Sequence, residues 1–438
     1  MGMNDASLQP ITARRILGLA LPALGVLAAM PAYLLFDTAV VGRLGTAELA
    51  ALGAAATVQS VVTTQLTFLS YGTTARAARW FGAGRKDRAV AEGVQATWVA
   101  VGVGLALMLA MWVFAGPITR GLTSTPEVAQ QSARWLRVAA LAIPLTLVEM
   151  AGNGWMRGVQ NTRKPLYFTL AGLVPGAVAV PLFVHQWGLV GSAAATVLGM
   201  GIIATCFVVE LVRTHAGSWA PDGRIIREQL VLGRDLIIRA LAFQVSMLSA
   251  TAVVGRFGAA PLGAHQVLTQ VWNFLTLVLD SLAIAAQALI GAALGARSVA
   301  AARAAGVRIV AYSAACAGVL AALIGAGHAV LPRLFTQQPE VLQVMAGPWW
   351  IMVGMVLAGG VLFALDGVLL GASDAAFLRT LTIGAVLAGY LPGVWLSAAA
   401  GWGLAGVWCG LATFIGIRTV GVVWRFATME WAHTGEKE

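Results

Sequence analysis

Charge is what this sequence has least of. Asp, Glu, Lys and Arg make up 11% of its 438 residues, against about 25% in a soluble domain. So little charge cannot keep a soluble surface wetted, and an ordinary soluble enzyme or binding module is excluded. Cysteine is nearly absent. Cys206, Cys316 and Cys409 stand far apart inside apolar runs, which leaves no disulfide framework and no metal-type spacing. They read as small buried hydrophobes. No His-Glu-x-x-His or Gly-x-Ser-x-Gly stretch occurs, and the glycine-rich run 81–86, FGAGRK, lacks the Gly-Lys-Ser/Thr that cradles nucleotide phosphates. His185, His265 and His328 are scattered and read as loop or packing residues, with His265 beside Gln266 able to face a cavity. No metal site and no organic cofactor is expected.

What fills the space is apolar. Hydrophobic residues make up 59% of the chain and the mean hydropathy is +0.82, an excess no single core can hide. The fold class is therefore an all-α polytopic membrane protein. A bilayer core of about 30 Å needs about 20 apolar residues per helix, and that ruler gives twelve spans. They cover 16–41, 49–77, 91–115, 135–156, 166–184 and 188–212, then 230–254, 262–294, 306–331, 344–370, 381–399 and 402–423. The run behind Arg14 and Arg15 has the look of a signal peptide, yet it continues unbroken into a segment repeated later and reads as a retained first span. The net charge of +10 does not point to nucleic acid, because the basic residues lie between apolar runs rather than in one patch. With both termini on the cytoplasmic side, Arg43, Arg120, Arg134, Arg137, Arg256 and Arg333 fall outside, and the other 22 of the 28 Lys and Arg residues, Lys437 among them, fall inside. That asymmetry fits the positive-inside rule.

The chain is also a duplicated object. TAVVGR at 38–43 recurs as TAVVGR at 251–256, an offset of 213. At the same offset Gly45 meets Gly258, Gly82 and Ala83 meet Gly295 and Ala296, and Gly158 meets Gly371; the run 187–189, WGL, recurs at 402–404. Six spans per half make the repeat parallel, with an axis along the membrane normal. The expected domains are an N-terminal lobe over 1–214, a cytoplasmic linker over 215–229 and a C-terminal lobe over 230–438. A substrate cavity is expected between the lobes near the midplane, opened to alternate sides as they rock.

Ionisable residues inside spans are costly, about 2.5–3.5 kcal/mol for an aspartate at a helix centre, and so point to function. Asp37 is the first. Tyr33 lies one turn earlier on the same helix face, and Pro22 and Pro31 precede both, either able to kink the helix. Burial in an apolar setting disfavours a charged carboxylate, so the proton itself becomes a ligand. Asp366 is the second. The repeat places Asn153 opposite Asp366 and Ala250 opposite Asp37: the scaffold is duplicated, the ionisable chemistry is not. Gln266, Asn273, Asp280 and Gln287 give the second lobe a polar lining, and Glu149 lies in the fourth span. For these residues interhelical hydrogen bonding is an equal alternative to function.

The run 37–45, DTAVVGRLG, resembles the first span of multidrug and toxic compound extrusion (MATE) transporters. The runs 282–291, LAIAAQALIG, 365–371, LDGVLLG, and 156–163, MRGVQNTR, resemble the DinF branch of that family. The resemblance covers nearly the whole chain, in order. It implies twelve spans in two six-helix lobes arranged as a V, and export of mostly cationic, amphipathic compounds against inward proton or sodium flow. Carried over residue by residue, the first-span aspartate of cation coupling falls on Asp37, the kink proline on Pro22 and the tenth-span aspartate on Asp366. One departure matters. Many relatives carry an Asn and, four residues later, an Asp-Pro in the fifth span; here Gly176 and Val180 stand before Pro181. Sodium wants several oxygen ligands in a cage, so a first-lobe sodium site loses two of them and protonation of Asp37 gains weight.

The expected function is thus a drug/proton antiporter. The coupling residues are Asp37 and Asp366, and the cavity residues Tyr33, Asn153, Gln266, Asn273, Asp280 and Gln287. The expected partners are a small-molecule substrate and the lipid bilayer, without nucleic acid. A monomer in the bacterial cytoplasmic membrane is expected, not an enzyme, with the proton as coupling ion. Sodium coupling through the second lobe and a lipid-linked precursor flippase remain as alternatives. An intramembrane enzyme would need a nucleophile beside a base, which no span supplies, and a purely structural scaffold leaves Asp37 unexplained.

Overall fold

The computed structural model describes residues 12–123 and 125–434; the chain ends and Lys437 lie outside the described residues. Helices follow one another with no strand among the described residues. The first half holds α1 (Ala13–Val41), α2 (Thr46–Leu66), α3 (Phe68–Gly82), α4 (Lys86–Leu122), α5 (Pro126–Ala140), α6 (Ala142–Gly158), α7 (Arg163–Trp187) and α8 (Leu189–Thr214). The second holds α9 (Gly223–Arg256), α10 (Ala259–Gly295), α11 (Val299–Ala326), α12 (Leu331–Phe335), α13 (Pro339–Gly371), α14 (Ala375–Ala385), α15 (Leu391–Ala400) and α16 (Gly403–Thr428). Eleven stretches are long and apolar enough to cross a membrane, α2 with α3 and α14 with α15 each counting once, and twelve when α5 and α6, bent by 40°, count as one. The protein is a multi-pass membrane protein. Large apolar side chains such as Leu35, Leu109, Val319 and Val420 stay outward and exposed, as a lipid-facing surface requires.

The duplication reappears as matched element ends. The starts of α2, α4 and α5 at Thr46, Lys86 and Pro126 correspond at an offset of 213 to the starts of α10, α11 and α13 at Ala259, Val299 and Pro339. The ends of α3 and α6, Gly82 and Gly158, correspond to the ends of α10 and α13, Gly295 and Gly371. The repeated Gly45 and Gly258 are the N-caps of α2 and α10, and Gly258 adopts φ of 117°, a conformation that only glycine takes without strain. The copies differ where the helices break. Pro144 lacks the N–H that would bond four residues back and crowds that carbonyl, so the α5–α6 span bends at Leu141; the matching α13 has Leu357 at the equivalent place and continues as one helix from Pro339 to Gly371. Near Pro392 the same loss is absorbed by a π-helical turn over Val386–Tyr390.

By compactness the chain divides into two units, Leu21–Gly233 and, among the described residues, those up to Ala20 with those from Arg234 on. Both chain crossings fall inside continuous helices, in α1 just before Pro22 and in α9 after Gly233. Residues 223–229, assigned to the linker from sequence, form the start of α9. In the first unit α6 crosses α3 at Gly154, where a Cβ would lie 2.7 Å from Thr73 Cβ and 2.9 Å from the Ser70 carbonyl oxygen. In the second, α13 crosses α10 at Gly367, where a Cβ would lie 2.7 Å from Ala283 Cα. Both glycines, and Ser70 with Ala283, are 213 apart, so the same close crossing is built twice. Such small-residue crossings suit helices that associate within a bilayer.

One polar cluster ties α3 and α4 to the start of α9. Arg76 on α3 forks onto Glu92 of α4 at 2.8 and 2.9 Å, and its third nitrogen meets Glu228 at 2.6 Å. Trp80 and Gln229 also donate to Glu92. Along α4, Gln95 bonds Ala220 and Asp222 of the connecting segment, and Trp98 bonds the Trp219 carbonyl. Glu92, Gln95 and Trp98 share one face of α4, and that face pins the connection to the first unit.

Candidate functional site

Asp37 lies on α1, one turn before the helix ends, and is 2% exposed. Its Oδ2 accepts a hydrogen bond from Ser192 of α8 at 2.7 Å. Ser192, wholly buried, accepts in turn from the Trp135 indole of α5 at 3.3 Å. Tyr33, one turn earlier on α1, meets the Thr196 hydroxyl at 3.2 Å, and Thr196 donates back to the Ser192 carbonyl at 3.2 Å. Gly176 of α7 lies beside the Tyr33 ring. The other Asp37 oxygen, Oδ1, is buried and has no hydrogen-bond partner among the described residues. This is a neutral pocket of hydroxyl groups and aromatic rings around a single carboxyl. Pro22 and Pro31 both lie inside α1, which stays one helix from Ala13 to Val41; neither proline nitrogen can donate to the carbonyl four residues back.

Asp366 is held quite differently. It is 6% exposed on α13, and its Oδ2 takes Arg239 of α9 at 2.5 Å together with Arg418 of α16. One carboxylate between two guanidiniums leaves the cluster with a net positive charge, so an added cation would meet repulsion there. Asn153, its counterpart in the repeat, is buried and donates weakly to Glu149 at 3.4 Å, and no arginine corresponds to Arg239 or Arg418: Val26 stands at the matching place of the first.

The remaining cavity residues belong to the second unit. Gln266, Asn273, Asp280 and Gln287 all lie on α10 at seven-residue intervals, which keeps them on one helix face with a slow drift. Gln266 and Asn273 are exposed, Asp280 is half-buried and Gln287 is 1% exposed. The stripe is thus open at the Ala259 end and closed at the Gly295 end. His265, beside it, is buried between Trp408, whose indole donates to Nδ1 at 3.2 Å, and Thr251 at 3.4 Å. It is a packed, hydrogen-bonded histidine. Among the described residues no three His, Cys, Asp or Glu side chains converge as a metal site would need.

Sequence reasoning found both aspartates and missed all of their partners. A serine inside an apolar run and a tryptophan at the start of one carry no signal, so Ser192 and Trp135 were invisible. Arg239 and Arg418 did carry one: both fall inside the spans 230–254 and 402–423, although counted with the cytoplasmic cations, and an arginine within a span needs an anion, which Asp366 rather than Asp280 supplies.

Comparison with known proteins bears on the same two halves. The family description MatE matches residues 22–182 and again 236–395, so each copy of the repeat satisfies it separately. The chain is similar to the chloroplastic protein DETOXIFICATION 44 of Arabidopsis thaliana, 31% identical over 384 residues that span 83% of this chain and 72% of that protein. It is similar to DNA damage-inducible protein F of Escherichia coli, 27% identical over 384 residues, 82% of this chain and 81% of that protein. Among solved structures, one described as MATE in the bent conformation superposes with a TM-score of 0.90 at 20% identity, covering 97% of this chain and 98% of its own.

Proposed function

Since the chain belongs to the MatE family of multidrug efflux transporters, we propose that it is a secondary antiporter that exports amphipathic, mostly cationic compounds in exchange for protons. Asp37 is the coupling residue. The observation that carries this reading is the Asp37 environment: a buried carboxyl with one neutral donor, one open oxygen and no counter-cation among the described residues. Such a group gains from taking up a proton and releases it when its surroundings change. Sodium is the second reading. Around Asp37 it would find Ser192, Thr196 and Tyr33 as oxygen donors, with Gly176 and Val180 adding no side-chain oxygen, which is thin for a cage. In the second lobe Asp366 faces two arginines, so that half is the weaker place for any cation.

The polar stripe on α10, from Gln266 to Gln287, contacts the substrate in this reading, with Asn153 and Tyr33 on the other lobe, and Pro22 lets α1 bend as the lobes exchange access. The protein works as a monomer in a bacterial cytoplasmic membrane with both termini cytoplasmic. It performs no chemistry on its substrate and needs no cofactor beyond the coupling ion. The test is Asp37→Asn in proteoliposomes, with proton and sodium gradients imposed separately. Loss of proton-driven exchange, with the variant still inserted and folded, is expected. Full exchange by the variant on a proton gradient without sodium would overturn the assignment.

A further inference from the structure

The hydrogen bonds around Asp37 have directions, and the directions decide where a proton can bind. An indole N–H only donates, so Trp135 makes Ser192 Oγ an acceptor at 3.3 Å. The Ser192 hydroxyl keeps one proton to give. Ser192 is wholly buried, and Asp37 Oδ2 at 2.7 Å is the one acceptor its hydroxyl meets among the described residues. Oδ2 is therefore already receiving a proton that belongs to serine.

A second chain closes the other route. Thr196 gives its hydroxyl proton to the Ser192 carbonyl, so Tyr33 must be the donor in the Tyr33–Thr196 bond at 3.2 Å. The tyrosine proton is thereby spent away from Asp37. Tyr33 is the titratable neighbour on α1; α8 faces Asp37 with Ser192, α5 stands behind with Trp135, and α7 offers Gly176 beside the tyrosine ring. None of the donors in these two chains has a hydrogen left for Oδ1, the oxygen without a partner among the described residues.

We infer that Asp37 takes up and releases its proton at Oδ1, and that Ser192, aimed by Trp135, is a positioning residue that keeps Oδ2 as the carbonyl oxygen of the protonated carboxyl. The O–H bond forms at Oδ1 on loading and breaks there on release, with the proton coming from and returning to water. Ser192 gives up no proton of its own. The arrangement holds the carboxyl in one orientation through the cycle, so that loading needs no rotation of the side chain. This inference rests on the proposed proton coupling at Asp37.

The vibration of the protonated carboxyl tests both, separately. Infrared difference spectra of the full-length protein in lipid, recorded between high and low pH, should contain a carboxyl C=O band that disappears in Asp37→Asn. In Ser192→Ala that band should move to higher wavenumber, because the carbonyl oxygen loses its donor. Ser192→Thr, which keeps a hydroxyl, should restore the original position. Trp135→Phe keeps an aromatic ring without the N–H and frees the serine to turn, and should broaden the band or shift it part of the way, giving a readout should Ser192→Ala fold poorly. A band absent in Asp37→Asn but unmoved in both Ser192→Ala and Trp135→Phe places the proton on Oδ2 and overturns the inference while leaving the coupling role standing. Spectra in which Asp37→Asn removes no band overturn the coupling role and the inference with it.

Discussion

Asp37 and Asp366 are the same side chain, each almost wholly buried in its own half of a duplicated scaffold, and they are held in opposite ways. Asp37 has one neutral hydroxyl donor on Oδ2, Asp366 has two guanidiniums on Oδ2, and in both the Oδ1 oxygen is without a hydrogen-bond partner among the described residues. A carboxyl in the first setting can change its charge at little structural cost, because no ion depends on it. In the second, neutralising the aspartate strands the buried Arg418 and the half-buried Arg239. A buried acid in a membrane span is thus ambiguous until its partners are known: one arrangement suits a switch, the other a clamp that ties α9, α13 and α16 together.

The largest effect that can break this comparison is on stability. Asp366→Asn leaves Arg239 and Arg418 without their counter-charge, and losing one partner of a buried ion pair costs about 3–5 kcal/mol. Thermal unfolding in detergent should show a clear drop for Asp366→Asn and almost none for Asp37→Asn. Equal losses would mean that both aspartates are structural. The triple change Arg239→Met, Asp366→Leu, Arg418→Met should recover much of the stability, since well-packed apolar side chains can replace a buried ionic cluster.

A smaller effect sharpens what the two halves share. Gly154→Ala and Gly367→Ala each push a methyl into the helix crossing built at that place, and overpacking of this kind costs about 1–3 kcal/mol. The two variants should lose similar amounts in the same unfolding assay; a loss confined to one would show that the crossings are not equivalent. The smallest effect concerns the connection. Gln95→Ala removes one donor and one acceptor that hold residues 220–222, worth about 1 kcal/mol each. Hydrogen exchange at 219–222 should quicken while exchange in α4 stays as it was; unchanged exchange would mean that Trp98 and Glu92 hold the connection without Gln95.

Much of this was readable in one dimension. The number of spans follows from the length and polarity of runs, which the bilayer thickness converts directly into helices. The repeat was visible in TAVVGR and the paired glycines, and the matched element ends carry the same 213-residue offset. Asp37 stood out because charge inside an apolar run is rare. The bend at Leu141 does not follow from span length, which treats 135–156 as one run; Pro144 carries the local signal for it.

What the sequence determined by itself is local: composition, span length, duplication, and the places where an acid interrupts apolar sequence. What only the tertiary structure decided is partnership. Ser192 is 155 residues from Asp37, and Arg239 and Arg418 are 127 and 52 residues from Asp366. In a membrane every long helix is apolar on most of its surface, so hydropathy does not say which faces meet. Helix packing does, through small residues that let one backbone come close to another. That packing gave Asp37 a hydroxyl and Asp366 two arginines, and so separated a carboxyl with a neutral partner from one held between cations.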